Sequence, residues 1–254
     1  MSTFPTRSLA VRVSKSAGEV DALLLRPGDA RCLLVLAHGA GAGMQHPFME
    51  GLAGVLADYG VATFRYQFPY MEQQRKRPDP PALLTATVRA AVMAASEAAP
   101  SLALFAGGKS LGGRMASLTV AEDPEVAAKI RGLVFFGFPL HPAGRPGTKR
   151  AEHLTRLQVP MLFLQGTRDA LADLTLLHPL CDTLAPLARL HVVEGADHSF
   201  HMLKRAGKTD ADVLRDLAKT VASWAETTSR SQRANGGEGG QGFLMSIPPG
   251  MDGM

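Results

Sequence analysis

LALFAGGKSLGGRMAS, residues 102–117, is the stretch whose reading decides the fold. Its opening residues are apolar without alternation, the pattern of a strand covered on both faces. From residue 111 onward apolar residues recur at three- and four-residue spacing, which predicts a helix. Between the two stands Gly108-Lys109-Ser110-Leu111-Gly112, a G-x-S-x-G pentapeptide at a strand-to-helix turn. A serine at so sharp a turn is held in a strained backbone conformation with its hydroxyl above the sheet edge. Glycines at 108 and 112 withhold side chains that would collide with the neighbouring strand and helix. The bland alternative is a tight turn without chemistry, because five-residue matches arise by chance. The strand before and the helix after favour a nucleophile at Ser110.

Working outward, three more runs share the unalternating apolar pattern: LLVLAHG (33–39), GLVFFGF (132–138) and MLFLQG (161–166). Residues 61–66 and 190–193 add two weaker strand candidates. Helical composition and periodicity occupy residues 47–59, 82–98, 111–122 and 209–224. Strands alternating with helices predict an α/β domain with a mainly parallel sheet and right-handed crossovers. The first thirty residues differ. Residues 9–13 and 20–25 alternate and are joined by the turn-like SKSAG, which predicts a strand pair. Two Pro-, Gly- and Arg-rich stretches, 67–81 and 139–150, follow candidate strands and are expected at the carboxyl edge, bordering a ligand site. No large cap is inserted. The domain is expected over residues 1–228. From 229 to 254 the composition changes to a low-complexity, Gly-rich tail with too little apolar area to fold alone.

Bulk properties narrow the function classes. The 254 residues are 46% hydrophobic and 20% charged, with a net charge of +4 and one basic run, Arg75-Lys76-Arg77. Nucleic-acid binding needs a basic face or stripe, and none is legible. No apolar run reaches membrane-spanning length, and the amino-terminal residues lack the apolar core of a signal peptide. Cys32 and Cys181 lie in apolar or helical stretches and read as free buried thiols. A cytoplasmic setting is expected, with no membrane or nucleic-acid partner. Oligomeric state is not legible.

A serine hydroxyl at neutral pH needs a base, and a strand-turn-helix serine predicts the chain order Ser, acid, His. The strand at 132–138 is followed by no carboxylate. MLFLQG is followed by Thr167-Arg168-Asp169, the first acid past that strand end. Then LHVVEGADHSF (190–200) supplies a short strand and a loop bearing His198. Asp169 alone reads equally well as a helix cap, with Asp173 and Asp182 as rival acids. His198 competes with seven other histidines, of which His191 lies in a strand and His201 shares a helical face if that segment is a helix. Order and spacing together select Ser110, Asp169 and His198, with Asp197 as a turn former.

Acyl chemistry also needs donors for a tetrahedral oxyanion. The backbone N–H of Leu111 is the first candidate. The loop His38-Gly-Ala-Gly-Ala-Gly43 supplies the second, from Ala40 or else Gly41. Lys109 and Arg114 flank the elbow and stand, with His38, as candidate substrate contacts; His38 reads more simply as a loop brace. Arg75, Lys76, Arg77 and Arg145 would suit an anionic substrate, or form a solvated basic surface.

The segments LAHGAGAGMQHPFM (36–49), FRYQFPYMEQQRKRPD (64–79), GGKSLGGRMAS (107–117), LFLQGTRDA (162–170) and GADHSF (195–200) together resemble the α/β-hydrolase superfamily, in particular its dienelactone-hydrolase-like members. The narrowest resemblance is to a hydrolase-like family that includes bacterial proteins, testis-expressed proteins and a scaffold subunit of a chromatin acetyltransferase complex. It spans roughly residues 7–226. It implies a triad on Ser110, Asp169 and His198, and some of its members serve as scaffolds; the acyl chemistry read from the residues calls for a small-molecule acyl substrate and no metal or organic cofactor. Dienelactone hydrolases proper use cysteine where this chain has Ser110, so their substrate is not carried over.

Three rival readings remain open. Gly39, Gly41 and Gly43 follow a strand, but the dinucleotide fingerprint puts Met44 where its third glycine belongs. His198 and His201, with His38 or His46, suggest zinc, yet no H-E-x-x-H accompanies them. A non-catalytic interaction module on a hydrolase fold is the third, since fold does not fix function.

Overall fold

The computed structural model describes residues 4–203 and 207–237. One eight-stranded sheet runs through the molecule in the order β1-β2-β4-β3-β5-β6-β7-β8. The expected amino-terminal pair is β1 (Thr6–Ser14) and β2 (Gly18–Leu25), which are antiparallel to each other. β2 also pairs antiparallel with β4 (Val61–Tyr66). From β4 onward the sheet is parallel, through β3 (Cys32–Ala37), β5 (Ala103–Lys109), β6 (Leu133–Phe136), β7 (Met161–Gly166) and β8 (Ala188–Val193).

The unalternating apolar runs have a simple cause: both sheet faces are dry. In β3, Leu33 and Val35 face one core while Leu34 and Leu36 face the other. β6 and β7 divide the same way, Phe135 and Phe163 to one side, Phe136 and Leu164 to the other. Helices α3 (Pro81–Ala98) and α4 (Leu111–Glu122) cover the first core through Leu84, Val88, Met115 and Val120. The second core is closed by α1 (Pro47–Asp58), with Met49, Leu52 and Leu56, and by α7 (Asp210–Gly237), with Val213, Leu217, Val221 and Trp224. Each fully buried Leu or Phe side chain contributes about 1.5–3 kcal/mol.

Four short elements went unread in the sequence. α2 (Pro69–Glu72) lies inside the stretch expected to be irregular, and α5 (Pro124–Lys129) starts behind the Asp123 cap. A 3-10 helix spans Lys149–Arg156, and α6 (Leu174–Thr183) carries an internal Pro179. These segments are too short, or too rich in proline, to show a clear period. The last helix is longer than the expected 209–224. α7 continues through residues 229–237, anchored by buried Thr228 and by Gln232, whose carboxamide donates to the Arg131 carbonyl. Residues 238–254, the rest of the expected tail, lie outside the described residues.

Candidate active site

The turn between β5 and α4 is the one read from the sequence. Ser110 has φ 49° and ψ −114°, a left-handed conformation that non-glycine residues rarely adopt. Its N–H donates to the Phe136 carbonyl, and its own carbonyl accepts the Arg114 N–H. Close packing leaves the flanking glycines no alternative. A Cβ on Gly108 would lie 2.4 Å from the Ala37 carbonyl oxygen, and one on Gly112 would lie 2.6 Å from the carbonyl oxygens of Ala37 and His38. The helix thus begins against the end of β3, with the serine at its apex.

Asp169 and His198 arrive from the ends of β7 and β8. His198 Nε2 lies 2.9 Å from Ser110 Oγ, and His198 Nδ1 lies 2.7 Å from Asp169 Oδ2. An ionised carboxylate only accepts, so Nδ1 carries the proton and Nε2 is left to accept from the serine hydroxyl. The Asp169 side chain is 1% exposed and the imidazole 25%. Oδ1 of Asp169 accepts the Leu171 N–H at 2.8 Å, and Oδ2 also accepts a hydrogen bond from the Gln165 carboxamide. Gln165 is fully buried on β7 and was missed in the sequence. A lone amide near the end of an apolar strand, four residues before the acid, was the available signal.

The other candidates sort clearly. Asp173 caps α6 by accepting the Thr175 N–H, Asp182 lies within α6, and the carboxylate that meets His198 is that of Asp169. Asp197 is the expected turn former, accepting the N–H groups of Ser199 and His201. His201 shares no helix with His198: the segment is a turn, and His201 Nδ1 meets Asp210 Oδ2 at 2.6 Å. His191 pairs with Asp216. The two imidazoles of the zinc reading therefore address different carboxylates.

His38 is corrected as a substrate contact. It is fully buried, its Nδ1 donates to the Gly39 carbonyl, and its Nε2 accepts the Phe68 N–H at 3.1 Å. Burial pushes its pKa down to about 4, so the ring is a neutral brace for the 39–43 loop. Arg114 is half-buried on α4 beside Arg150, whose charge adds to burial in lowering its pKa, and it takes no part in the cavity wall. Lys109 does line the cavity. The stretches 67–81 and 139–150 do not. Arg75 is instead ion-paired with Asp79, which also accepts the Tyr70 N–H, so this basic loop is braced internally.

A second serine–histidine contact lies under α4, where Ser117 Oγ is 2.7 Å from His153 Nε2. Ser117 is fully buried and also donates to the Arg114 carbonyl. Burial and then the charges of Arg114 and Arg156 push His153 down to about 4. With cations beside the ring and, among the described residues, no carboxylate on it, this pair ties α4 to the 3-10 helix and lacks the orienting acid of a catalytic base.

The cavity at Ser110 has a volume of about 630 Å³. Its apolar wall includes Phe48, Met49, Leu171, Phe200 and Leu214, and the rings of Phe48 and Phe200 stack at 5.8 Å. The Gly39–Gly41 loop crosses the nucleophile closely enough that a Cβ on Gly39 would be 3.8 Å from Ser110 Cβ. Among the described residues, the N–H groups of Leu111 and Ala40 meet no protein acceptor, whereas the Gly41 N–H points at the Tyr70 hydroxyl, 3.4 Å away.

Known proteins share this architecture. A dienelactone hydrolase from Anabaena variabilis superposes with a TM-score of 0.68 at 20% identity, covering 89% of this chain and 99% of that one. An α/β serine hydrolase homologue from Coxiella burnetii gives 0.67 at 16%, covering 87% and 100%. An α/β serine hydrolase without lid from Xanthomonas campestris gives 0.65 at 19%, covering 88% and 98%. At these identities the likeness establishes the fold. Residues 30–226 match the α/β hydrolase domain family itself, and the chain belongs to that family.

Proposed function

We propose that this protein is a serine hydrolase that cleaves a carboxylic ester, thioester or related acyl bond through Ser110, His198 and Asp169. The observation that carries this reading is the continuous relay from Asp169 Oδ2 through the imidazole to Ser110 Oγ, with links of 2.7 and 2.9 Å. As Ser110 Oγ bonds to the substrate carbonyl carbon, its proton passes to His198 Nε2. The carbonyl oxygen becomes an anion held by the N–H groups of Leu111 and Ala40, each donor lowering the barrier by about 3–4 kcal/mol. The intermediate collapses, and the leaving alcohol or thiol takes the proton from Nε2. Water then attacks the acyl-enzyme, giving its proton to Nε2, and Ser110 recovers a proton as the acid leaves. Asp169 fixes the tautomer and stabilises the transient imidazolium throughout. The chemistry needs no metal or organic cofactor.

The apolar cavity wall favours an uncharged acyl group, and a small-molecule substrate is the partner we assign. The GKSLGGR and YQFPYMEQQRKRPD segments support kinship with the family shared by bacterial, testis-expressed and acetyltransferase-scaffold proteins. Two free, buried thiols, Cys32 and Cys181, suit a reducing, cytoplasmic setting. Among the described residues no helix is long and apolar enough to cross a membrane.

The test is a series of p-nitrophenyl esters of graded chain length, run beside fluorophosphonate labelling. Wild type should turn over short esters and take the label, and Ser110→Ala should do neither. Absence of both from the wild type would return the fold to a scaffold role.

A further inference from the structure

The residue before the nucleophile presents a puzzle of energy. Lys109 lines the cavity, and its ammonium is buried with no hydrogen-bond or ion-pair partner among the described residues. Leaving a cation so placed costs several kcal/mol, and a methionine would fill the same path without that cost. What surrounds the ammonium accounts for it. A methyl group on Gly137 would lie 3.2 Å from Lys109 Nζ, 3.4 Å from the His198 carbonyl oxygen and 3.5 Å from Asp169 Oδ2. All three crowd around one backbone position, and Gly137, with φ 69°, makes the room.

The loop that carries the imidazole closes over this charge. Lys109 Nζ sits 5.7 Å from the centre of the Phe200 ring, within range of a cation–π attraction. Phe200 itself adopts φ 62°, a strained conformation for an aromatic residue, and stacks on Phe48 from α1. The charged groups acting on the ammonium are Asp169, from the β7 loop, and Asp197, from the histidine loop. Burial lowers the Lys109 pKa to about 8 against the pull of both carboxylates, so the group is mostly charged at neutral pH.

Resting on the triad proposed above, we infer that Lys109 is a positioning residue: its buried ammonium holds the 197–200 loop in place and sets the proton affinity of the Asp169–His198 pair. A positive charge near an imidazole disfavours the protonated ring by Coulomb repulsion. Removing the charge should let His198 hold its proton to higher pH.

The experiment compares wild type with Lys109→Met and Lys109→Arg, with Lys109→Gln held in reserve should the methionine variant not fold. Two readouts run across pH: the rate of fluorophosphonate labelling of Ser110, and the His198 ring resonance in histidine-labelled protein. The methionine variant should melt no lower than wild type, label about 10-fold more slowly, and show both acidic midpoints displaced upward by about half a pH unit or more. The arginine variant should bring the midpoints back toward wild type. Unchanged midpoints in the methionine variant overturn the inference, even with slower labelling, because a purely structural lysine would alter rate alone. If wild type takes no label, the hydrolase reading fails, while the ring titration still decides the role of Lys109.

Discussion

Gln165 donates its carboxamide N–H to Oδ2 of Asp169, the same oxygen that receives the Nδ1 proton of His198. With the Leu171 N–H on Oδ1, the carboxylate is held from two sides in a buried setting. A carboxylate fixed in this way cannot rotate to meet solvent, so the imidazole it orients stays aligned with Ser110.

The two members of that contact should behave differently when altered. Gln165→Leu removes one charge-assisted hydrogen bond, worth about 1.5–3 kcal/mol, and should slow ester turnover by roughly 10- to 100-fold. Asp169→Asn presents an amide that favours the wrong imidazole tautomer and should cost about 10⁴-fold in kcat. Steady-state kinetics on a short p-nitrophenyl ester separates them; equal losses would count against Gln165 as a mere support for the acid.

The elbow glycines should tolerate nothing larger. Gly112→Ala sets a Cβ 2.6 Å from two backbone carbonyl oxygens, neither of which can swing aside. The variant should lose about 1–3 kcal/mol or more of stability, and fluorophosphonate labelling with it. Gly54→Ala in α1 is the control, since its Cβ would meet nothing within 4 Å. It should gain about 0.5–1 kcal/mol from helix propensity. Thermal melts of both variants check the pair.

Acyl-chain preference should follow the Phe48–Phe200 stack. Phe48→Ala opens the apolar wall beside the nucleophile, and longer chains should gain relative to acetate. Each accommodated methylene is worth about 1 kcal/mol or more, so the long-to-short ratio of kcat/KM should rise roughly 10-fold. A ratio that does not move would place the acyl group elsewhere in the cavity.

Acid should weaken the fold through two buried histidines. His38 and His153 are buried and held neutral, with pKa values near 4 against about 6.5 in an unfolded chain. Between those values the unfolded state binds more protons, so stability falls as pH drops from about 6.5 toward 4. Each ring accounts for at most about 3 kcal/mol. His153→Gln can still hydrogen-bond Ser117, and its urea midpoint should vary less across this window than that of wild type. An identical slope would show that His153 is not one of the groups responsible.

Much of the molecule was legible because its cause is local. The unalternating runs in β3, β5, β6 and β7 follow from burial on two faces, and the G-x-S-x-G turn follows from the close approach of β3 to α4. Short elements such as α2 and the 3-10 helix at Lys149–Arg156 had no period to read. The end of α7 was misplaced because Gln232 finds its partner at Arg131, far away in the sequence.

What the residues determined alone was the architecture, the elbow and the chain order of serine, acid and histidine, since strand burial, glycine clearance and strand-end placement are written in type and spacing. Only the folded chain decided which neighbours serve those three. Gln165 on the acid, the ammonium of Lys109 beneath Phe200, and the removal of His38 and the basic loops from the cavity all depend on contacts between segments distant in sequence. Burial and hydrogen-bond partners there are properties of a point in space, and no local pattern encodes them.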